Sequence, residues 1–96
     1  MKPAFFTRSA NTEKEASAVF YEEKQAGLAI RFLHEIQQAV QQIRQHPEAW
    51  PKRDNHHRKC HLQNFPYSLI YRIEEEKIFI VAVMHHRRHP DSWRIR

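Results

Sequence analysis

The chain has 96 residues, 41% apolar and 28% charged, with a formal net charge of +5. That length fits one domain, with enough apolar side chains for a modest core and too many for a disordered segment. The single cysteine excludes an internal disulfide, which fits a reducing compartment. No apolar run approaches the roughly 18 to 20 residues that span a bilayer, and the opening MKPAFFTRSANTEKE lacks the apolar core of a secretory signal. A soluble, cytoplasmic protein with no membrane partner is expected.

The charge is unevenly placed. Residues 1–10 carry two positive charges, residues 11–48 carry four Lys/Arg against six Glu, and residues 49–96 carry ten Lys/Arg against five Asp/Glu. A basic half of this kind attracts phosphate backbones and acidic protein segments alike.

Ala4 to Thr7 is short, aromatic and β-prone, a first strand. Thr12 with Glu15 three residues on is the capping-box pattern of a helix start, and Ala16, Val19, Phe20 and the stem of Lys24 follow at helical spacing. Gly27, the only glycine, falls where a chain leaving a helix needs positive φ. A second helix is predicted from one apolar stripe: Ala29, Phe32, Leu33, Ile36, Ala39 or Val40, and Ile43. Gln37, Gln38, Gln41, Gln42 and Arg44 form its wet side, and Pro47 ends it. The stretch HPEAWPKRDNHHR reads as a loop.

Three strands come next. Lys59 to Phe65 leads into PYSLIYRI, where Tyr67, Leu69, Tyr71 and Ile73 alternate with Ser68, Ile70 and Arg72. EEEK is a polar hairpin connection. Ile78 to Met84 is apolar throughout, as in a central strand covered on both faces. The expected class is α+β in the order β-α-α-β-β-β, a helical hairpin packed on a small, mainly antiparallel sheet, with residues 1–96 forming a single domain.

Several clusters invite chemistry. His56, His57, Cys60 and His61 lie close in sequence, and His85, His86 and His89 gather near the end. Structural zinc needs about four converging ligands, no second pair follows His57 and Cys60 at suitable spacing, and on a strand Cys60 and His61 point to opposite faces. No metal and no cofactor are expected. Cys60 as a nucleophile would need a base and an orienting group, whereas sharing a face with Leu62 makes it a small core residue. Metal-free RNA cleavage needs proton-transfer groups and cations for the phosphorane-like transition state, and His85, His86, Arg87, Arg88, Arg58, Lys59 and Arg94 supply those types. The bland alternative is a solvated basic face that holds an acidic partner. Trp93 is read as a plug for the sheet edge, with stacking on a base as the other possibility.

The segment FPYSLIYRIEEEKIFIVAVMHHRRHPDSWRIR resembles the closing half of the RelE/ParE superfamily of bacterial type II toxins. The resemblance rests on Phe65-Pro66-Tyr67, Tyr71, Ala82-Val83, His85 or His86, Arg87-Arg88, Pro90, Trp93 and Arg96. The helix pair, FYEEKQAGLAIRFLHEI and the proline-bearing loop also fit the family's layout. The resemblance implies a growth-inhibiting toxin that forms a hetero-oligomer with a cognate antitoxin, whose C-terminal segment wraps the toxin. RelE-like members cut mRNA in the ribosomal A site, and ParE-like members interfere with DNA gyrase.

RelE-like nucleases carry a catalytic arginine just after the strand aromatic, where this chain has Ser68. Their C-terminal tyrosine is replaced here by Trp93, an indole that donates a hydrogen bond but is no general acid or base. Losing a transition-state donor typically costs on the order of 10² to 10³ in rate, so the ParE-like branch is expected. In the nuclease alternative His85, His86, Arg87 and Arg88 are catalytic, while Arg58, Lys59, Arg72, Trp93, Arg94 and Arg96 are expected to bind partners. A third possibility is a degenerate toxin that still binds its antitoxin.

Overall fold

In the computed structural model, which describes residues 1–87, the elements are β1 (Ala4–Phe6), α1 (Arg8–Lys24), α2 (Leu28–Gln45), β2 (Arg58–His61), β3 (Tyr67–Ile73) and β4 (Ile78–His85). They build one four-stranded sheet in the order β1-β4-β3-β2. β2, β3 and β4 form an antiparallel meander, and β1 pairs parallel to β4, with Phe5 opposite Phe79. A parallel neighbour requires a long crossover, which the two helices supply. β4 is thereby central, as its unbroken apolar run implied, and the α+β class and element order stand as expected. Among the described residues no helix is long and apolar enough to cross a membrane.

α1 starts earlier than the capping-box pattern indicates. Thr7 is the N-cap: its hydroxyl accepts from the Ala10 N–H at 3.3 Å, and its carbonyl accepts from Asn11. Thr12 lies inside the helix, and Glu15 accepts from the Asn11 side chain one turn back, at 3.0 Å. The inward face changes accordingly. Ala10, Ser17 and Ala18 are buried, whereas Val19 and Phe20 of the expected stripe are 59% and 49% exposed. Small inward residues let α1 lie close along the sheet, and of its larger side chains Val19 and Phe20 are left outside while Tyr21 turns inward.

Gly27 adopts φ 89°, but it stands at the N-cap of α2, two residues beyond the Gln25 cap of α1. With no side chain of its own to cap α2, it relies on Glu22 of α1. That carboxylate accepts from the Gly27 and Ala29 N–H groups at 3.1 and 3.2 Å, satisfying donors that a helix start leaves open. The α2 stripe is buried at Phe32, Ile36, Ala39, Val40 and Ile43, while Leu33 sits at its edge, 37% exposed.

The helical hairpin covers one face of the sheet. Tyr21, Phe32, Phe65 and Tyr67 stack around one another with ring centroids 5.0 to 6.0 Å apart, tying both helices to the start of β3. Leu69, Tyr71, Ile78, Ile80 and Val83 continue this core. The buried Tyr71 hydroxyl donates to the Pro47 carbonyl at 2.6 Å, and burial pushes its pKa up to about 12.

One irregularity decides what the other face carries. Ile70 pairs with Ala82 but Tyr71 pairs with Ile80, so Val81 is an extra residue, a β-bulge. Before it, Ile78 and Ile80 face the helices; after it, Val83 does, while Ala82 and Met84 join Ile70 and Val81 on the opposite side. The bulge reverses the strand's alternation and therefore which face each C-terminal histidine meets.

Candidate functional site

Because of that reversal, His85 pairs with Tyr67, their rings 5.0 Å apart and nearly perpendicular. His86 belongs to the opposite face. Its N–H donates to the Pro66 carbonyl at 2.8 Å, which fixes the chain leaving β4 beside the entry to β3. There its Nε2 lies 2.9 Å from Ser68 Oγ, and Ser68 Oγ lies 2.7 Å from His61 Nδ1. The two imidazole nitrogens are 3.2 Å apart. Ser68 is fully buried, while both rings are exposed. Strand pairing explains the meeting: His61 opposes Ser68, and Ser68 opposes Met84, two residues before His86.

The triangle constrains protons. A serine hydroxyl has one hydrogen, so it donates to one ring and accepts from the other. Two imidazolium rings would remove its acceptor and set like charges side by side. His61 is held below the ordinary histidine range, first by burial and then by the positive charges of Lys59, His86 and Arg53. Lys59 is lowered too, first by burial and then by Arg53. Lys59, His86 and Arg53 thus all add to burial in disfavouring a charge on His61.

The expected site residues divide. Lys59 shares a strand face with His61, and His86 and Arg87 stand at the end of β4. Arg58 faces the other way and donates to the Glu48 and Trp50 carbonyls at 3.1 and 2.8 Å. Arg72 lies at the far end of β3, bound to Glu74 at 2.6 Å and resting over the Phe79 ring. Arg88, Trp93, Arg94 and Arg96 lie outside the described residues. His61 and Ser68 were not expected in the site; the parity of β2 places Lys59 and His61 together, but nothing in the sequence marks the bulge that brings His86 to them.

The other chemical candidates dissolve. Cys60 is buried, 2% exposed, and burial pushes its thiol up to about 11, so it packs rather than reacts. His57 is engaged by Asp54, 3.0 Å from its Nδ1, and Asp54 also accepts from the His56 and His57 N–H groups. These bonds hold the Asp54 carboxyl below its ordinary range. Among the described residues no three His, Cys, Asp or Glu side chains group as a metal site.

A second feature lies on the helical side. Phe6, Leu33, Ile36 and Val40 line a shallow groove of about 270 Å³, with Lys14 and Gln37 at its margins. Lys14 Nζ rests 4.4 Å from the Phe6 ring centre. Phe20 and Ile30, on the same hairpin, are 49% and 74% exposed.

The helical hairpin on a four-stranded mixed sheet has an architectural counterpart. The fold is similar to a chain of the structure titled "Chromosomal ParDE TA system from P. aeruginosa", with a TM-score of 0.66 and 20% identity, covering 88% of this chain and 96% of that one. No curated protein matches the chain. Residues 4–90 match the family described as "ParE toxin of type II toxin-antitoxin system, parDE". The chain belongs to the ParE toxin family.

Proposed function

We propose that this chain arrests bacterial growth by interfering with DNA gyrase, acting as one toxin domain over residues 1–96 in the cytoplasm, and that a cognate antitoxin neutralises it as a hetero-oligomer. The observation that carries the choice of target is Ser68. At the strand position where RelE-like nucleases project a catalytic arginine, this chain has a buried hydroxyl held between two imidazoles. The guanidinium that would stabilise a phosphorane-like transition state has no equivalent there. The antitoxin's C-terminal segment, amphipathic and acidic, sets apolar anchors in the Phe6–Leu33–Ile36–Val40 groove and acidic residues against the cations of the basic half. Arg87, Arg88, Arg94 and Arg96 are the cations of the C-terminal sequence.

A second reading, a ribosome-dependent mRNA endonuclease, draws on the exposed rings of His61 and His86 beside Lys59. A cell-free translation reaction with supercoiled plasmid and gyrase separates the two. The gyrase reading expects toxin-dependent DNA breaks that require gyrase, with mRNA left whole. Cleavage of mRNA in the ribosomal A site, with DNA intact, overturns it.

A further inference from the structure

We propose that the rim formed by Lys59, His61 and His86 is a binding site for a phosphate-type oxyanion and that it takes up a proton as the anion binds. Ser68 links the two rings through a chain of hydrogen bonds. When both rings are neutral, one facing nitrogen carries a proton and the other does not, because the hydroxyl donates once and accepts once. Each imidazole has a second nitrogen. In the neutral chain, whichever way it runs, one of those outer nitrogens is a donor and the other is a bare acceptor. A proton added at the bare outer nitrogen leaves the Ser68 bonds intact and turns both outer nitrogens into donors. The chain therefore tolerates one extra charge without rearrangement, and that charge creates the pair of N–H groups that grips an anion.

The surroundings supply attraction. From β2, Lys59 stands two residues before His61 on the same strand face, and from the preceding loop Arg53 acts on both. From β4, Arg87 follows His86, and His85 faces the other way against Tyr67. β3 contributes the uncharged Ser68; its Arg72 is bound to Glu74 at the far end. From α2, Glu35 lies in the same cleft as His61, with its oxygens accepting from the Asn64 backbone and side-chain amides at 2.9 and 2.7 Å. Asp54 is engaged with His57. Among the described residues cations thus outnumber carboxylates around the rim, and a dianion offsets the repulsion from Lys59, His86 and Arg53 that adds to burial in holding His61 low. Two imidazole donors and an ammonium suit a tetrahedral dianion with three or more free oxygens better than the two oxygens of a carboxylate.

The test reads the imidazole resonances of the full chain by NMR as sodium sulfate is added, because sulfate stays a dianion from pH 5 to 8. Sodium chloride at matched ionic strength is the control. The expected result is saturable shifts at His61 and His86 but not at His34 or His46. The apparent Kd is expected to weaken by up to about tenfold per pH unit as pH rises above the rim's titration. Ser68→Ala is expected to uncouple the two rings, and His61→Gln to abolish the response while the far-UV spectrum is unchanged. Equal shifts with chloride, or a Kd that does not change with pH, overturn the proposal. A 5′-phosphorylated oligonucleotide that displaces sulfate better than the same oligonucleotide without the phosphate supports a terminal phosphate as the natural source. Equal displacement by a polyglutamate peptide overturns the phosphate class. None of these readouts involves gyrase or the ribosome, so the inference and the toxin reading fail separately.

Discussion

The two faces of the sheet are made from the same strands but held by different means. On the helical face, Tyr21, Phe32, Phe65 and Tyr67 lock rings, with a side-chain hydrogen bond between Tyr21 and Tyr67, and phenol and phenyl side chains carry no charge near neutrality. On the opposite face near the end of β4, a hydroxyl and two imidazoles are joined by hydrogen bonds among cations. The first arrangement gains from burial and changes little with conditions. The second gains little from burial and changes with one proton. The fold therefore keeps its stability and its responsive chemistry on separate surfaces of one small sheet.

The sharpest way to break the comparison is at Phe32, which touches three of the packed rings and is fully buried. Phe32→Ala is expected to lower unfolding stability by about 3–5 kcal/mol, measured by urea denaturation, with the same loss at pH 7.5 and pH 6. A loss that depends strongly on pH would show that the two faces are coupled. A smaller effect is expected at Glu13 of α1. β1 ends opposite Ile80, so among the described residues β4 beyond it lacks a strand neighbour on that side, and the Val83 N–H donates instead to the Glu13 carboxylate at 2.9 Å. Glu13→Ala is expected to cost about 1–3 kcal/mol by leaving that donor unmet, whereas Glu13→Gln keeps an acceptor and retains most of the stability. Equal losses in the two variants would show that charge, not the bond to Val83, is what Glu13 provides.

Periodicity revealed the helical face well. Phe32, Ile36 and Ile43 fall at helical steps, and Tyr67, Leu69 and Tyr71 alternate, because burial against one partner imposes those periods. The α1 start was misread because Thr12 and Glu15 have capping-box spacing, while Thr7, in the position that matters, is followed three residues later by Ala10. The apolar residues of α1 misled for a related reason: Val19 and Phe20 are apolar but face outward, and Ala10, Ser17, Ala18 and the ring of Tyr21 do the packing. The site was half legible. Its cations and histidines are visible in sequence, but a continuous apolar strand contains no alternation from which to detect an inserted residue. Val81 therefore gave no sign that His85 would turn to Tyr67 and His86 to Ser68.

The smallest expected effect tests the responsive face in the absence of any ligand. His61 is depressed in the folded chain, first by burial and then by Lys59, His86 and Arg53, so between its folded pKa and the ordinary histidine value the unfolded chain binds more protons. Stability from this residue is then fully present above that ordinary value and declines as pH falls through it toward the lower, folded one. Unfolding measured at pH 7.5, 6.5 and 5.5 is expected to show the wild type losing stability across this window and His61→Gln losing less, since glutamine can accept from Ser68 but takes up no proton. Asp54 does not confuse the result: its carboxyl is held below its ordinary range, so the stability it contributes is lost only in more acidic solution. If His61→Gln and the wild type fall together between pH 7.5 and 5.5, the proton-sensitive element lies elsewhere, and the division of labour between the two faces fails at the rim itself.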